Sequence, residues 1–202
     1  MVERRTQEER REATRRALLA SGRGLFAELG YHGASQAEIV ARAGMTRGAL
    51  YHNFEGGKRG LFREVAEEIE VEIDEAVIAA FREEYERGGD MVEAWMAGNL
   101  AYLRMCARAD VRRILFGDAS AALGWEEWRE IDIAHGLPQI REGLEALIEI
   151  GILEKQPVEP LAHIWYGAGA EAGMYVASAE DSEAAINEMQ SALRRVFDGM
   201  TR

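Results

Sequence analysis

Cysteine is almost absent from this chain of 202 residues, which has one, Cys106. No internal disulfide can form, and a lone cysteine is most simply a small buried hydrophobe. Proline is nearly as scarce. The three, Pro138, Pro157 and Pro160, all lie far along the chain, so nothing of this kind interrupts a helix before residue 138. No apolar run approaches the roughly 20 residues that a membrane span needs. The opening MVERRTQEERREATRR is too charged for a signal peptide. These absences point to a cytoplasmic protein without a membrane partner. Catalytic signatures are missing too: no H-E-x-x-H, G-x-S-x-G, Walker loop or C-x-x-C occurs. Asp132 and His135 share a helix face at i, i+3, but no second pair completes a metal site, so neither a metal nor a cofactor is expected. Alternating strand patterns are hard to find. Ala, Glu, Arg and Leu, all good helix formers, dominate instead, and the expected fold is all-α.

Net charge is −12, which argues against nucleic acid until its distribution is read. Residues 1–63 hold twelve Lys or Arg against seven Asp or Glu, a net of +5, and residues 64–202 hold twelve against 29, a net of −17. A basic head can attract phosphates while an acidic body is repelled from them. The expected domains are accordingly a head of residues 1–63 and a body of residues 64–202.

Within the head, Ser35 to Phe54 reads as two short helices around a tight turn. Ser35 and Glu38 form an S-x-x-E capping box, and Gly44 suits the left-handed position that closes the first helix. Thr46 caps the second helix. Ala49, Leu50 and Phe54 recur at helical spacing and should face inward, leaving Arg47, Tyr51 and His52 outward. Such a short helix is unstable alone. A helix-turn-helix holds one rigidly so that its outer face enters a DNA major groove. The candidate DNA contacts are Ser35, Thr46, Arg47, Gly48, Tyr51, His52 and Lys58. Thr46 and Tyr51 offer hydroxyls and Lys58 a charge to phosphates, Arg47 offers a bidentate fork to guanine, and Gly48 allows close approach. Arg4, Arg5, Arg10 and Arg11 add positive charge along an N-terminal arm (residues 1–6) and the first helix.

From Arg15 to Val65 the chain resembles the tetracycline-repressor (TetR) family of transcriptional regulators. The matching stretches are LFAELGYHGAS, AGMTRGALYHNF and KRGLF. One departure stands out: Glu55-Gly56-Gly57 separates Phe54 from Lys58, one residue more than the family's usual spacing. The resemblance implies a repressor that binds a palindromic double-stranded DNA operator as a homodimer and is released by a small molecule. It also implies a long helix from Lys58 linking head and body, and dimerisation through the last two helices.

The body carries several helices, with a break expected near Gly136-Leu137-Pro138. The penultimate helix holds Gly167, Gly169 and Gly173 among alanines, which permits a close crossing with another helix. Gly167, Ala170, Gly173 and Met174, with Leu193 and Val196 on the last helix, are the candidate dimer face, with packing inside the chain as the alternative. The aromatic side chains suit a mostly apolar pocket with few polar groups. Its candidate lining is Trp95, Asn99, Tyr102, Phe116, Trp125, Trp128, His135 and Trp165, with Tyr166 and His163 nearby, and the ligand it suits is largely apolar. Two other functions fit the same sequence: a DNA-binding dimer without a ligand, and an all-α enzyme.

Overall fold

The computed structural model describes residues 6–201, and every regular element among them is helical. In chain order these are α1 (Gln7–Gly33), α2 (Gln36–Arg42), α3 (Arg47–Asn53), α4 (Lys58–Glu86), α5 (Met91–Cys106), α6 (Ala109–Val111), α7 (Ala119–Leu123), α8 (Trp125–Glu149), α9 (Val158–Ser178) and α10 (Ser182–Met200). A π-helical stretch, Arg112–Asp118, joins α6 to α7. Arg4, Arg5 and most of the expected arm lie outside the described residues. Thr6, its last residue, caps α1 in a reciprocal box with Glu9.

The chain forms two compact units. One is Met1–Ile69 with Ala109–Trp128, the other Glu70–Arg108 with Arg129–Arg202. The cut expected after residue 63 thus moves to Ile69, and the head also takes in residues 109–128. Long-range polar contacts explain the addition. Arg23 pairs with Asp110 at 2.7 Å, and the Tyr31 N–H donates to Asp118 at 2.8 Å. Gly30 adopts φ +74° beneath the Arg113 guanidinium, which occupies the place a Cβ would take. Asp110 is thus engaged in an ion pair with α1.

The head's core is made by the apolar stripes of α1, α2, α3 and the start of α4. Leu18, Phe26, Ile39, Leu50, Leu61 and Phe62 are fully buried. Phe26 and Tyr31 each meet the Phe62 ring edge-on with centroids 5.0 Å apart, a favoured aromatic geometry. Gly22 lets α4 approach: a Cβ there would lie 2.7 Å from Leu61 Cδ2. The buried Ser21 hydroxyl donates to the Ile39 carbonyl at 2.8 Å, so this polar group is satisfied within the core. Leu29, next to the non-helical Gly30, is 44% exposed.

The second unit is built from the remainder of α4 and α8 with α5, α9 and α10. Trp95, Leu144, Leu147, Trp165 and Phe197 sit in one buried cluster. Gly143 makes room for the Trp95 ring. The break expected at Gly136-Leu137-Pro138 does not occur, and α8 runs through Pro138. A proline at that position removes the hydrogen bond to the Ala134 carbonyl. Ala134 and Pro138 are both exposed, so water can replace the bond, while Leu137 and Leu144 hold the opposite face in the core.

Candidate nucleic-acid interface and body cavity

The two short helices are fixed at every end. The Ser35 hydroxyl accepts from the Glu38 N–H and donates to the Glu38 carboxylate at 2.6 Å. Gly44 takes φ +67°. Thr46 accepts from the Ala49 N–H at 3.2 Å, which leaves its hydroxyl proton free to donate. Leu50 and Phe54 are buried, whereas Thr46, Arg47, Gly48, Tyr51 and His52 are exposed. The outward and inward faces of α3 are therefore those that the spacing predicts. Ser35 is exposed but its hydroxyl already serves the capping box in both directions, so only its place at the end of α2 adjoins the outer face.

Arg47 and Tyr51 act together. The guanidinium lies 5.7 Å from the Tyr51 ring centroid. Arg47 first, and then Gln36, hold the Tyr51 hydroxyl below its ordinary pKa. The hydroxyl donates to Gln36 Oε1 at 3.1 Å. Gln36 is a polar contact the sequence reading missed. Nothing in its position as the first residue of α2 marks it, because its partner lies 15 residues on.

Lys58 departs from expectation. Its ammonium donates to the Tyr31 carbonyl at 2.9 Å and to the Ala34 carbonyl at 3.0 Å, and it stands 4.3 Å from the Tyr31 ring centroid. Two of its three donors close the carbonyl end of α1, so the phosphate role gives way to a structural one. The longer loop accounts for the geometry. Gly56 and Gly57 both adopt left-handed φ, +76° and +63°, and turn the chain so that α4 starts against the end of α1.

In the second unit a cavity of about 530 Å³ opens among α4, α5, α8 and α9. Four expected residues line it: Trp95, Asn99, Tyr102 and Trp165. Four do not. Phe116, Trp125 and Trp128 belong to the other unit, where Trp125 is 66% exposed. His135 lies behind the wall and pairs with Asp74 at 3.0 Å. His163 is exposed and faces Glu159. Helical periodicity could not separate these, because residues 109–128 fall to the head through contacts far apart in sequence.

The acids of this cavity were also missed. Glu70, Asp74, Asp132 and Glu142 line it. Glu70 is 7% exposed, and burial first, then Asp132 and Asp74, push its carboxyl well above the usual range. A signal was available: Ala66, Glu70, Ile73 and Val77 follow helical spacing, which places an acid on the apolar stripe of α4. Tyr166 and Trp95 also line the cavity, and neither the Tyr166 hydroxyl nor Trp95 Nε1 has a hydrogen-bond partner. Asp132 is near enough to raise the Tyr166 pKa, after burial, without bonding geometry to the hydroxyl. Cys106 is fully buried, and burial pushes its thiol up to about 12. Among the described residues no group of three or more His, Cys, Asp or Glu is arranged to hold a metal ion. None of the helices described is long and apolar enough to cross a membrane.

The candidate dimer face is divided. Gly167, Met174 and Val196 are exposed, with Ile164 and Tyr175 beside them. Ala170 lines the cavity. Gly173 faces inward, where a Cβ would meet the Tyr102 hydroxyl at 2.6 Å and Cys106 Sγ at 2.9 Å. Leu193 is buried in the chain's own core. The small residues of α9 thus serve two crossings, and Ala170, Gly173 and Leu193 leave the candidate interface.

A doubly capped helix-turn-helix with the polar face of its second helix bare defines a DNA-binding regulator. Known proteins agree. The family described as bacterial regulatory proteins of the tetR family matches residues 18–65, and the tetracyclin repressor-like C-terminal domain matches residues 92–200. The crystal structure of a TetR-family transcriptional regulator from Pectobacterium atrosepticum is 33% identical, with 98% of each chain covered and a TM-score of 0.80. The HTH-type transcriptional repressor AcnR of Corynebacterium jeikeium (strain K411) is 36% identical over 83 residues, 39% of this chain and 43% of the repressor's length. The fold also matches that of RolR in complex with resorcinol, at 20% identity and a TM-score of 0.69, covering 94% of this chain and 90% of that one. The chain belongs to the TetR family of transcriptional regulators.

Proposed function

We propose that the protein is a homodimeric repressor that binds a palindromic operator through α3 and releases it when a small molecule enters the body cavity. The observation that carries the reading is the exposed face of α3, where Arg47, Gly48, Tyr51 and His52 stand between two fixed caps. Arg47 is assigned to a base edge, and Thr46 and Tyr51 to phosphates. Two symmetry-related heads would place their recognition helices about 34–36 Å apart, in successive major grooves. The dimer face is assigned to Ile164, Gly167, Met174, Tyr175 and Val196, which together expose a large apolar surface on α9 and α10. Its partial sequence match to a repressor and the aromatic ligand of a fold relative, RolR with resorcinol, support the regulatory and ligand-binding parts. The cavity is read as a binding site rather than a site of turnover, and the place of action as the cytoplasm.

Selection of binding sites from a randomised duplex library tests the core of this reading. A pseudo-palindrome is expected, and Arg47→Ala should relax selectivity at one position per half-site, at a cost of about 1–3 kcal/mol on the preferred sequence. Failure to enrich any sequence would remove the operator assignment. The ligand part is tested by fluorescence anisotropy on the selected duplex, with release of DNA by cavity-sized aromatic compounds as the expected result.

A further inference from the structure

The geometry points to a cationic effector: a protonated amine on an aromatic-sized apolar body, with its ammonium against Glu70. This rests on reading the cavity as the effector site. Two observations carry it. First, no Lys, Arg or His is among the residues lining the cavity, whereas Glu70, Asp74, Asp132 and Glu142 all are. Second, two of these acids already have a cation or its equivalent. Asp74 pairs with His135 at 3.0 Å, and Asp132 with Arg129 at 3.2 Å. Of the other two, Glu142 is exposed to water, whereas Glu70, only 7% exposed, has no such partner among the described residues.

An isolated carboxylate in an apolar site is strongly disfavoured, so the group either takes a proton or acquires a cation. In the empty cavity burial, with Asp132 and Asp74 nearby, favours the protonated form of Glu70. An ammonium entering the cavity would supply the missing charge and displace that proton. An anionic ligand such as a carboxylic acid would meet four acids and no base. A neutral ligand could bond the donors but would gain nothing from Glu70's ionised form. The acids do not converge as a metal-ligand set, which leaves an organic cation as the matching charge.

The other titratable groups around the site stay fixed near neutral pH. Tyr102 and Cys106 on α5 and Tyr166 on α9 are all raised by burial and remain uncharged. On α8, Arg129 already pairs with Asp132. Asp74 on α4 is raised by burial, with the His135 hydrogen bond opposing. Glu70 is therefore the group whose proton the ligand should displace, with the Asp74–His135 pair as the nearest alternative source.

A matched series tests the class by titration calorimetry on the full chain: 2-(naphthalen-1-yloxy)ethanamine, 2-(naphthalen-1-yloxy)ethanol and (naphthalen-1-yloxy)acetate. The amine should bind at least tenfold more tightly than the alcohol at pH 7.5, and the acid should show no binding. Repeating the amine titration in two buffers of different ionisation enthalpy should reveal release of up to one proton per ligand. Affinity should therefore rise with pH until Glu70 is ionised in the empty protein. Glu70→Gln should abolish the amine's advantage over the alcohol. The proton measurement on the unaltered chain decides the matter even if that variant folds poorly. Equal binding of amine and alcohol, or an unaltered amine affinity in Glu70→Gln, overturns the cationic class while leaving a ligand-responsive regulator intact. If none of the three binds, the class is overturned, and release of DNA by other compounds then judges the regulatory reading separately.

Discussion

Replacing Lys58 by methionine separates a structural lysine from a DNA-binding one. Methionine keeps most of the unbranched stem and removes only the charged head. The head donates to the Tyr31 and Ala34 carbonyls at 2.9 and 3.0 Å and sits over the Tyr31 ring. Hydrogen bonds from charged groups contribute about 1.5–3 kcal/mol. A cation over an aromatic face adds about 0.5–1 kcal/mol at an exposed site. Lys58 is only half-buried, so water can reach the abandoned carbonyls and recover part of this. A net loss of about 2 kcal/mol is expected, and for a chain of this size that corresponds to a melting temperature lower by about 4–8 °C. Circular dichroism at 222 nm would measure the change. Below the transition, the salt dependence of operator binding should keep its slope, because no phosphate contact is lost. If the melting temperature is unchanged and the slope falls by about one, the ammonium reaches phosphate and the structural role is refuted.

Other outcomes follow from the same contacts. Gly60→Ala brings a Cβ against the Glu55 backbone carbonyl; overpacking costs about 1–3 kcal/mol, so the denaturant midpoint should fall, although helix propensity alone predicts a rise. Tyr51 ionises below its ordinary pKa of 10.0, chiefly because the Arg47 guanidinium stabilises the phenolate. Operator affinity should therefore weaken as pH rises towards that value, and Tyr51→Phe, measured by anisotropy, should abolish the pH dependence. Ile164→Arg, at a side chain 69% exposed on α9, should shift the dimer towards monomer in sedimentation velocity, whereas Ala170→Trp should fill the cavity and leave association intact.

The helix-turn-helix was legible because its determinants are local. Ser35 with Glu38, Gly44 and Thr46 each act within three or four residues, and the structure has all of them in place. The body was legible only as helices. Phe116, Trp125 and Trp128 look like pocket aromatics by composition, but contacts such as Arg23 with Asp110, 87 residues apart, hold their segment in the other unit. The small residues of α9 gave no clue to direction. Gly173 turns inward and Gly167 outward, a difference of under two turns that depends on which helix packs where. Glu70 shows the opposite case: with Asp74 it interrupts the apolar spacing of Ala66, Ile73 and Val77, yet α4 is so rich in acids that two more do not stand out.

The glycine corner before α4 imposes unequal constraints on its two left-handed residues over evolutionary time. At Gly56 a Cβ would meet only the Gly60 amide nitrogen, at 3.8 Å, so asparagine, which visits left-handed φ at modest cost, has room there. At Gly57 a Cβ would stand 2.8 Å from the Tyr51 ring, the ring that presents the hydroxyl assigned to DNA. Drift at Gly56 should therefore be silent for regulation. A change at Gly57 would move Tyr51, and so would survive only together with a change in the operator. Orthologues that bind the same operator should then vary at the first position and keep glycine at the second.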